Sequence, residues 1–358
     1  MPQRSATVIA MTTSACNLHC SYCHAATSQD KKSRFDAKNL GTLIQNCSLG
    51  FDNVDFCWFG GEPLSVGMEF FSKILDAEKK EKEKRGIVFR NTIQTNGTLL
   101  DDRWLDFLKE NDFHLGLSFD APLEICEIHR GVKPERMLGI CELIKQHGLP
   151  LRTLCVISKL NVRRSHEIFD LFKEIGVDSF SLLPLKSVPL ATKPLLPSDE
   201  EIFDLYRDVF NLWMYTENNF SSIQPLDNIL RSLLGSRPTL CSFSEVCLKR
   251  MITITQSGKV VPCGSLALNE FVLGNIFHEP LLRILNNSSV KKLREMRDEH
   301  IKANCGNCEF LPICRGGCRS EAFWFSGRYD GNIPFCHAYQ ETFRYITARL
   351  DELKSDRN

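Results

Sequence analysis

The sequence lacks any long hydrophobic run. No apolar segment approaches the roughly 20 residues that a membrane-spanning helix needs. The first residues, Met1–Ser5, contain no apolar core of the kind that a secretory signal carries. We therefore expect a cytoplasmic protein of 358 residues that has no membrane partner.

The sequence also lacks a surplus of charge of either sign. It contains 44 Lys and Arg residues and 44 Asp and Glu residues, and its pI is near 7.1. Nonspecific binding to nucleic acid depends on basic residues that neutralise phosphates. The balance of charge therefore argues against a nucleic-acid partner.

Cysteine, in contrast, is abundant, since the chain has 16. Disulfides rarely persist in the cytosol, so clustered cysteines there are expected to be metal ligands or redox thiols. Five isolated cysteines are expected to be small core residues: Cys47, Cys57, Cys126, Cys141 and Cys155. The length allows one domain of roughly 230 residues and another of roughly 120, which we expect to be residues 1–230 and 231–358.

Short apolar runs alternate with helical patterns through the first half of the chain. The predicted strands are Thr7–Met11, Val54–Phe59, Ile87–Gln94, His114–Phe119, Leu151–Ile157 and Ser179–Leu183. The predicted helices are Asp36–Cys47, Val66–Arg85, Asp101–Asn111, Pro134–His147 and Val162–Ile175. This α/β alternation predicts a parallel sheet, either doubly wound or curled into a partial barrel, with ligands at the carboxyl ends of the strands. The charged run Glu78–Arg85 is expected to face solvent.

The pattern changes after this first half. The stretch Pro184–Pro197 is rich in proline and predicts a linker or a lid. Ser198, with Glu201 three residues later, predicts a helix that begins with a capping box. Two short apolar runs on either side of Gly258 predict a hairpin. Beyond the hairpin we expect little regular secondary structure.

Three cysteines lie within eight residues near the N-terminus: Cys16, Cys20 and Cys23. Four-iron clusters held entirely by protein normally use four cysteines, so three thiolates leave one iron open to a ligand that reacts. The spacing, with Tyr22 just before the last cysteine, resembles the signature of radical S-adenosylmethionine (SAM) enzymes. The alternatives are a structural loop, or a zinc site completed by His19 or His24.

In that family the open iron binds the amino and carboxylate groups of SAM, and the resemblance extends to the ends of the predicted strands. The residues that it assigns to SAM are Gly60, Gly61, Glu62, Pro63, Asn96, Ser118, Asp120 and Arg130, with Tyr22 near the adenine. Glu62 can accept hydrogen bonds from an ammonium group, and Arg130 can pair with a carboxylate. The alternatives are turn formers, helix caps and, for Arg130, a surface side chain.

A second group of cysteines occupies the C-terminal part of the chain, and its spacing resembles the SPASM domain of radical SAM enzymes that modify peptides. The similarity is closest to the anaerobic sulfatase-maturating enzymes. It implies two auxiliary clusters, one held by Cys241, Cys247, Cys263 and Cys318, the other by Cys305, Cys308, Cys314 and Cys336. The alternative is zinc, since four of these cysteines could form a zinc ribbon.

The resemblance implies a partial (β/α)6 barrel, a C-terminal SPASM domain and three 4Fe-4S clusters. Reductive cleavage of SAM would give a 5′-deoxyadenosyl radical, which would take hydrogen from a peptide or protein side chain. An auxiliary cluster would then accept an electron, leaving an oxidised or cross-linked side chain. The alternatives are a small-molecule substrate (a nucleoside, sugar or amino acid) and, more distantly, an iron–sulfur electron carrier without catalysis.

Two further expectations concern the partners of such an enzyme. A reducing partner such as a flavodoxin or ferredoxin would supply the electron that cleaves SAM. We expect no leader-peptide-binding domain, because there is no room for one before Thr7 and only 22 residues follow Cys336.

One position departs from the sulfatase-maturase pattern. In those enzymes an aspartate directly follows the third ligand of the first auxiliary cluster and is thought to deprotonate the serine or cysteine that is oxidised. Here that ligand is Cys263, and the next residue is Gly264. A general base must lie within hydrogen-bond reach of its proton, and Ser265 is a poor base. We therefore expect that the protein does not make formylglycine, and no side chain is assigned as catalytic.

Overall fold

The computed structural model describes residues 4–23, 33–186 and 190–355. The chain divides into two compact units, each made of segments that are distant in sequence. The first unit comprises Met1–Ser118, Gly139–Pro150 and Val246–Glu295, and the second comprises Phe119–Leu138, Leu151–Glu245 and Met296–Asn358.

The described residues form strands and helices in alternation. The strands are β1 (Ser5–Thr13), β2 (Asn53–Gly60), β3 (Val88–Thr95), β4 (Phe113–Ser118), β5 (Arg152–Ile157), β6 (Ser179–Pro184), β7 (Ser222–Gln224), β8 (Met251–Ile254), β9 (Lys259–Val261) and β10 (Gly274–Asn275). The helices are α1 (Leu40–Gly50), α2 (Met68–Arg85), α3 (Asp102–Glu110), α4 (Leu123–Arg130), α5 (Pro134–Gln146), α6 (Ser165–Glu174), α7 (Asp199–Tyr215), α8 (Leu226–Leu233), α9 (Leu281–Leu285), α10 (Ser288–Asn304), α11 (Leu311–Cys314), α12 (Arg319–Ser326) and α13 (Cys336–Ser355). Among the described residues, no helix has both the length and the apolar character that crossing a membrane requires.

The first unit contains a sheet in the strand order β10-β9-β8-β1-β2-β3-β4. Strands β8, β1, β2, β3 and β4 are parallel, whereas β9 pairs antiparallel with both β8 and β10. In β2 the buried Val54, Phe56 and Trp58 alternate with half-buried residues. Trp58 meets Phe71 of α2 edge to face, with ring centroids 6.1 Å apart. The alternation thus buries one face of the sheet against a helix, as period-2 patterning requires.

The second unit contains the parallel strands β5, β6 and β7. Its long C-terminal helix α13 packs on α7 through aromatic residues. The hydroxyl of Tyr345 donates to Asn211 Oδ1 at 2.8 Å. The rings of Tyr206 and Tyr339 stack with centroids 6.4 Å apart. The C-terminal helix is therefore part of the core of this unit.

Most predicted elements of the first half are confirmed. All six predicted strands are present, with ends that differ by at most two residues, and the hairpin around Gly258 forms between β8 and β9. Ser198 and Glu201 form the expected capping box at the start of α7. In the predicted linker, Leu190–Leu195 is a 3-10 helix, and residues 187–189 lie outside the described residues.

Two expectations are wrong. Regular structure does not thin out after the hairpin, because α10 has 17 residues and α13 has 20. The signal was present in α13, where Tyr339, Phe343 and Ile346 are buried at helical spacing. The charged run Glu78–Arg85 is not uniformly solvated either, because Glu78 is only 6% exposed.

Candidate functional site

The three-cysteine loop follows strand β1 in the first unit and carries Cys16, Cys20 and Cys23. The backbone N–H of Cys23 donates to the carbonyl of Cys20 at 3.1 Å, and that of Leu18 donates to Cys16 Sγ at 3.4 Å. Desolvation by neighbouring groups raises the pKa of the Cys16 thiol, and the hydrogen bond from Leu18 opposes this rise. Cys16 is exposed, while Cys20, Tyr22 and Cys23 are half-buried. The loop thus presents its thiols at the surface of the unit, at the carboxyl end of a strand.

The glycine pair Gly60-Gly61 fits the end of β2 against the segment that leads into this loop. The N–H of Gly61 donates to the carbonyl of Thr13 at 2.7 Å, and the next N–H, of Glu62, donates to that of Ala15 at 2.9 Å. A Cβ on Gly61 would lie 2.0 Å from the Ala15 carbonyl oxygen, and one on Gly60 (φ 139°) would lie 2.3 Å from that of Thr13. Only glycine fits at either position. The pair therefore fixes the backbone just before the first cysteine, and its predicted contact with SAM stays a prediction.

Glu62 joins the ends of β2 and β3. Its Oε1 accepts hydrogen bonds from the N–H of Leu64 (3.0 Å) and the hydroxyl of Thr95 (2.7 Å). Its Oε2 accepts one from the N–H of Asn96 (2.9 Å). The residue has no exposed surface; burial raises its pKa, and these hydrogen bonds work against that shift. Glu62 thus positions two strand ends, while its predicted contact with the ammonium of SAM stays a prediction. Pro63 begins the short 3-10 helix that follows.

Asn96 connects the end of β3 to the three-cysteine loop. Its Nδ2 donates to Asn17 Oδ1 at 3.0 Å and lies 3.9 Å from Cys16 Sγ. Its Oδ1 accepts from both the N–H and the hydroxyl of Thr98, and that hydroxyl accepts from Asn17 Nδ2 at 2.7 Å. Asn96 therefore positions the first cysteine. Sequence reasoning missed Asn17 and Thr98, although both are short polar neighbours of residues that it selected.

Ser118 and Asp120, predicted to contact SAM together with Arg130, bind other protein groups. In the first unit, Ser118 Oγ accepts from Gln94 Nε2 at 2.9 Å. In the second, Asp120 accepts from Nε and Nη2 of Arg130 at 2.8 and 3.2 Å and from the N–H of Val156 at 2.8 Å. Asp120 has no exposed surface, and Arg130 is only 9% exposed. The buried ion pair fixes α4 to strand β5. The predicted contacts of these residues with SAM stay predictions.

One cavity of about 470 Å³ in the second unit is lined by four cysteines, Cys305, Cys308, Cys314 and Cys336. Burial, with smaller contributions from the other three thiols, raises the pKa of Cys314 to about 12. The side-chain amide of Gln340 donates to Cys308 Sγ at 3.6 Å. Among the described residues no three His, Cys, Asp or Glu side chains are close enough to hold one metal ion, but a four-iron cluster spreads its thiolates more widely. Four thiols around one cavity fit such a cluster.

Three residues beside predicted cysteine ligands adopt the left-handed backbone conformation. Leu248 has φ 61°, Arg315 has φ 54° and Phe335 has φ 58°, and each is a direct chain neighbour of such a cysteine. Among the described non-glycine residues, only Asp112 shares this conformation. It costs roughly 1–3 kcal/mol and persists where the surroundings fix the backbone. Thiolate ligation by a cluster is one such constraint, so the strain fits the predicted ligands.

The remaining four predicted ligands belong to different units. Cys247 and Cys263 lie in the first unit, and Cys241 and Cys318 lie in the second. Cys263 Sγ is 3.4 Å from Ser265 Oγ. Cys318 is the N-cap residue of α12 and is not among the described residues that line the four-cysteine cavity. Their ligation of one cluster stays a prediction.

Comparison with known proteins gives matches along nearly the whole chain. Residues 11–172 match the model of the radical SAM superfamily, and residues 241–309 match that of SPASM, an iron–sulfur cluster-binding domain. The cysteine-type anaerobic sulfatase-maturating enzyme of Clostridium novyi (strain NT) is 30% identical over 359 residues, which cover 94% of each chain. That of Clostridium perfringens (strain 13 / Type A) is 28% identical over 374 residues, covering 94% of this chain and 95% of the relative.

A solved structure supports the same assignment at the level of the fold. Native anSMEcpe with bound AdoMet and the Cp18Cys peptide matches with a TM-score of 0.85 at 24% identity, over 98% of this chain and 99% of that chain. The predicted α/β fold class, with a SPASM domain, is confirmed.

The cofactors follow from the two domains. Radical SAM enzymes work with SAM and a 4Fe-4S cluster, and SPASM domains bind auxiliary clusters. The predicted cofactors are therefore confirmed, and the relatives are enzymes rather than electron carriers. By its two domains and its relatives, the chain belongs to the radical SAM enzymes with a SPASM domain, in the family of the anaerobic sulfatase-maturating enzymes.

Proposed function

We propose that this enzyme removes a hydrogen atom from a side chain of a peptide or protein and oxidises that side chain, with an auxiliary cluster as the electron acceptor. The observation that carries the proposal is the loop of Cys16, Cys20 and Cys23 at the carboxyl end of β1. The next cysteine in the sequence, Cys47, is buried in α1. When bound, the cluster and SAM supply the 5′-deoxyadenosyl radical.

We assign the SAM-binding cluster to the three cysteines of this loop. Iron binds the thiolate form of cysteine, and hydrogen bonds from N–H groups stabilise that form. The backbone N–H of Leu18 and the amide of Asn96 both approach Cys16 Sγ. The protein thus prepares the first ligand through Leu18 and Asn96, and Glu62 holds the backbone of Asn96.

We assign the auxiliary clusters to two interleaved sets. Cys305, Cys308, Cys314 and Cys336 form one set, which is supported by the single cavity that they line. The other set is Cys241, Cys247, Cys263 and Cys318, and the position of Cys318 outside that cavity supports it. With four thiolates each, both clusters are closed to substrate, which favours electron transfer as their role.

The relatives support a peptide or protein as the substrate. They are named for the maturation of sulfatases, and the matching solved structure holds a peptide. A side chain in a polypeptide is therefore the substrate class that we propose for this chain.

Within that class we propose that this enzyme does not produce formylglycine, because Gly264 cannot accept a proton. The backbone at this position does not require glycine. The residue begins the 3-10 helix Gly264–Leu266 with a φ outside the left-handed region, and a Cβ on it would contact only the Phe59 ring, at 3.9 Å. A Cβ is therefore accommodated at this position, so the backbone does not exclude an aspartate.

The test uses peptides that carry a sulfatase motif with cysteine or serine at the target position. After incubation with SAM and a strong reductant, mass spectrometry should find no conversion by the wild-type enzyme. Gly264→Asp should gain conversion, because the carboxylate restores a base within reach. Gly264→Asn, which has the same shape without the base, is the matched control and should remain inactive. Efficient conversion by the wild-type enzyme would show that another group serves as the base.

A further inference from the structure

Arg319, at the start of α12, is a buried cation without a carboxylate partner. The residue is 4% exposed. Its guanidinium donates to the carbonyls of Gly331 (3.0 Å) and Gly316, and Nε has no hydrogen-bond partner among the described residues. Within the same part of the chain, no carboxylate comes within ion-pair distance of it. A buried charge that is unpaired is costly, so an anion is expected beside it.

Arg319 is a neighbour of both ligand sets of the proposed scheme. It directly follows Cys318, a ligand of one set, at the start of α12. Its guanidinium donates to the carbonyl of Gly316, a residue that lines the four-cysteine cavity of the other set. Arginine stays protonated near neutral pH. Its positive charge is therefore placed to act on both sets.

In the described part of the chain, no other charged group near Arg319 combines burial with the lack of an ion-pair partner and a positive charge. Arg297 also acts on Cys305, but it forms an ion pair with Asp298 at 3.4 Å. Among the described residues Glu321 forms no ion pair with Arg319, and burial raises the pKa of its carboxyl group. Arg319 is thus the uncompensated cation.

A cation at this place has a definite effect on a bound cluster. Four thiolates outweigh the positive charge of an iron–sulfur core, so the bound cluster is an anion and becomes more negative when it is reduced. A fixed positive charge therefore favours the reduced form, and net charge is one of the factors that set the reduction potentials of these clusters.

We propose that Arg319 is the shared counter-ion of the two auxiliary clusters and raises the reduction potential of both. The inference rests on the ligand sets of the proposed function. In the proposed oxidation the substrate radical loses one electron and one proton; the electron reduces one auxiliary cluster by one unit, and the proton passes to solvent. A higher reduction potential makes the cluster a better acceptor for that electron.

The experiment is an anaerobic redox titration of the reconstituted full chain, followed by electron paramagnetic resonance, without peptide and without SAM turnover. Arg319→Met should lower the midpoint potentials of both auxiliary clusters, whereas Arg319→Lys, which keeps the charge, should stay near the wild-type values. Arg328→Met is the matched control, because it removes the same charge from a side chain that is 71% exposed. This control should leave the potentials of both auxiliary clusters unchanged. Arg319→Met should also leave the potential of the cluster in the three-cysteine loop unchanged.

A third variant and the iron content of the protein separate the effect of the charge from that of the hydrogen bonds. Arg319→Gln retains hydrogen-bond donors for the two carbonyls but removes the charge. Loss of auxiliary iron from the Met and Gln variants, with retention in the Lys variant, would also identify the charge as the essential feature. Unchanged potentials in Arg319→Met, or equal effects of the Met and Lys variants on potential or iron content, would overturn the inference. Failure to modify any peptide would count against the proposed function and leave these potentials unaffected.

Discussion

Glu78 shows how far the environment of a single residue can depart from its sequence context. It lies on α2 in a stretch of alternating charge, yet its side chain is buried and accepts a hydrogen bond inside the protein. Oε2 accepts a hydrogen bond from Asn91 Nδ2 at 2.9 Å, and Oε1 has no hydrogen-bond partner among the described residues. Asn91 in turn accepts from Trp58 Nε1 at 2.7 Å. Burial raises the pKa of Glu78 to about 7, and the bond from Asn91 only partly opposes the shift.

This raised pKa predicts a pH-dependent stability. The folded protein holds a proton on Glu78 more tightly than the unfolded chain, whose glutamate pKa is near 4.5. The contribution to the free energy of unfolding is therefore fully present below that value and is lost as pH rises through about 7. Glu78→Gln should remove up to about 3 kcal/mol of this pH dependence and should melt at a higher temperature than wild type at pH 8.

Thermal unfolding of the reconstituted protein between pH 5 and pH 8 provides the measurement. Glu69→Gln is the control, because Glu69 lies on the same helix with a side chain that is 83% exposed. An equal loss of stability with pH in wild type and Glu78→Gln would mean that Glu78 is not the group responsible.

At the scale of elements, the interleaved ligand sets make a spectroscopic prediction. Cys318 lies only four residues after Cys314 in the sequence, but it precedes α12 and stands apart from the four-cysteine cavity. Cys318→Ala and Cys241→Ala should therefore damage the same cluster and give similar electron paramagnetic resonance spectra. Cys305→Ala should damage the other cluster and give a different spectrum. Matching spectra for Cys318→Ala and Cys305→Ala would contradict the scheme.

The elements that sequence patterns could predict are those whose apolar residues alternate without interruption. Strand β2 is such a case, because its buried residues Val54, Phe56 and Trp58 alternate with half-buried ones. Helix α4 was missed because it is short and because two of its buried residues, His129 and Arg130, are not apolar. Helix α10 was missed because charged residues dominate its sequence, and its structure depends on tertiary packing.

The same limit explains what could be predicted of the site. The cysteine spacings and the polar strand ends are local features, so the sequence displays them directly. The pairing of Asp120 with Arg130 is not local, because it depends on α4 bringing residue 130 back to the strand end. The need for glycine at position 61 is also not local, because it arises from the close contact with the carbonyl of Ala15. Contacts of this kind require the fold.

For the whole molecule, we propose that one open cluster performs the chemistry and that two closed clusters transfer electrons. This division predicts that the two functions can be separated by mutation. The N-terminal cysteines should be needed for cleavage of SAM. When those cysteines are replaced, the C-terminal cysteines should still retain their iron.

The most direct test is the triple variant in which Cys16, Cys20 and Cys23 are replaced by alanine. The anaerobically reconstituted wild-type protein should hold about twelve irons in three clusters, and the variant should lose about a third of them. With SAM and a strong reductant, the wild type should form 5′-deoxyadenosine and the variant should form none, while Cys57→Ala, the control outside all three sets, should behave as wild type. Zinc in place of iron, or 5′-deoxyadenosine formation that survives the triple change, would contradict the account.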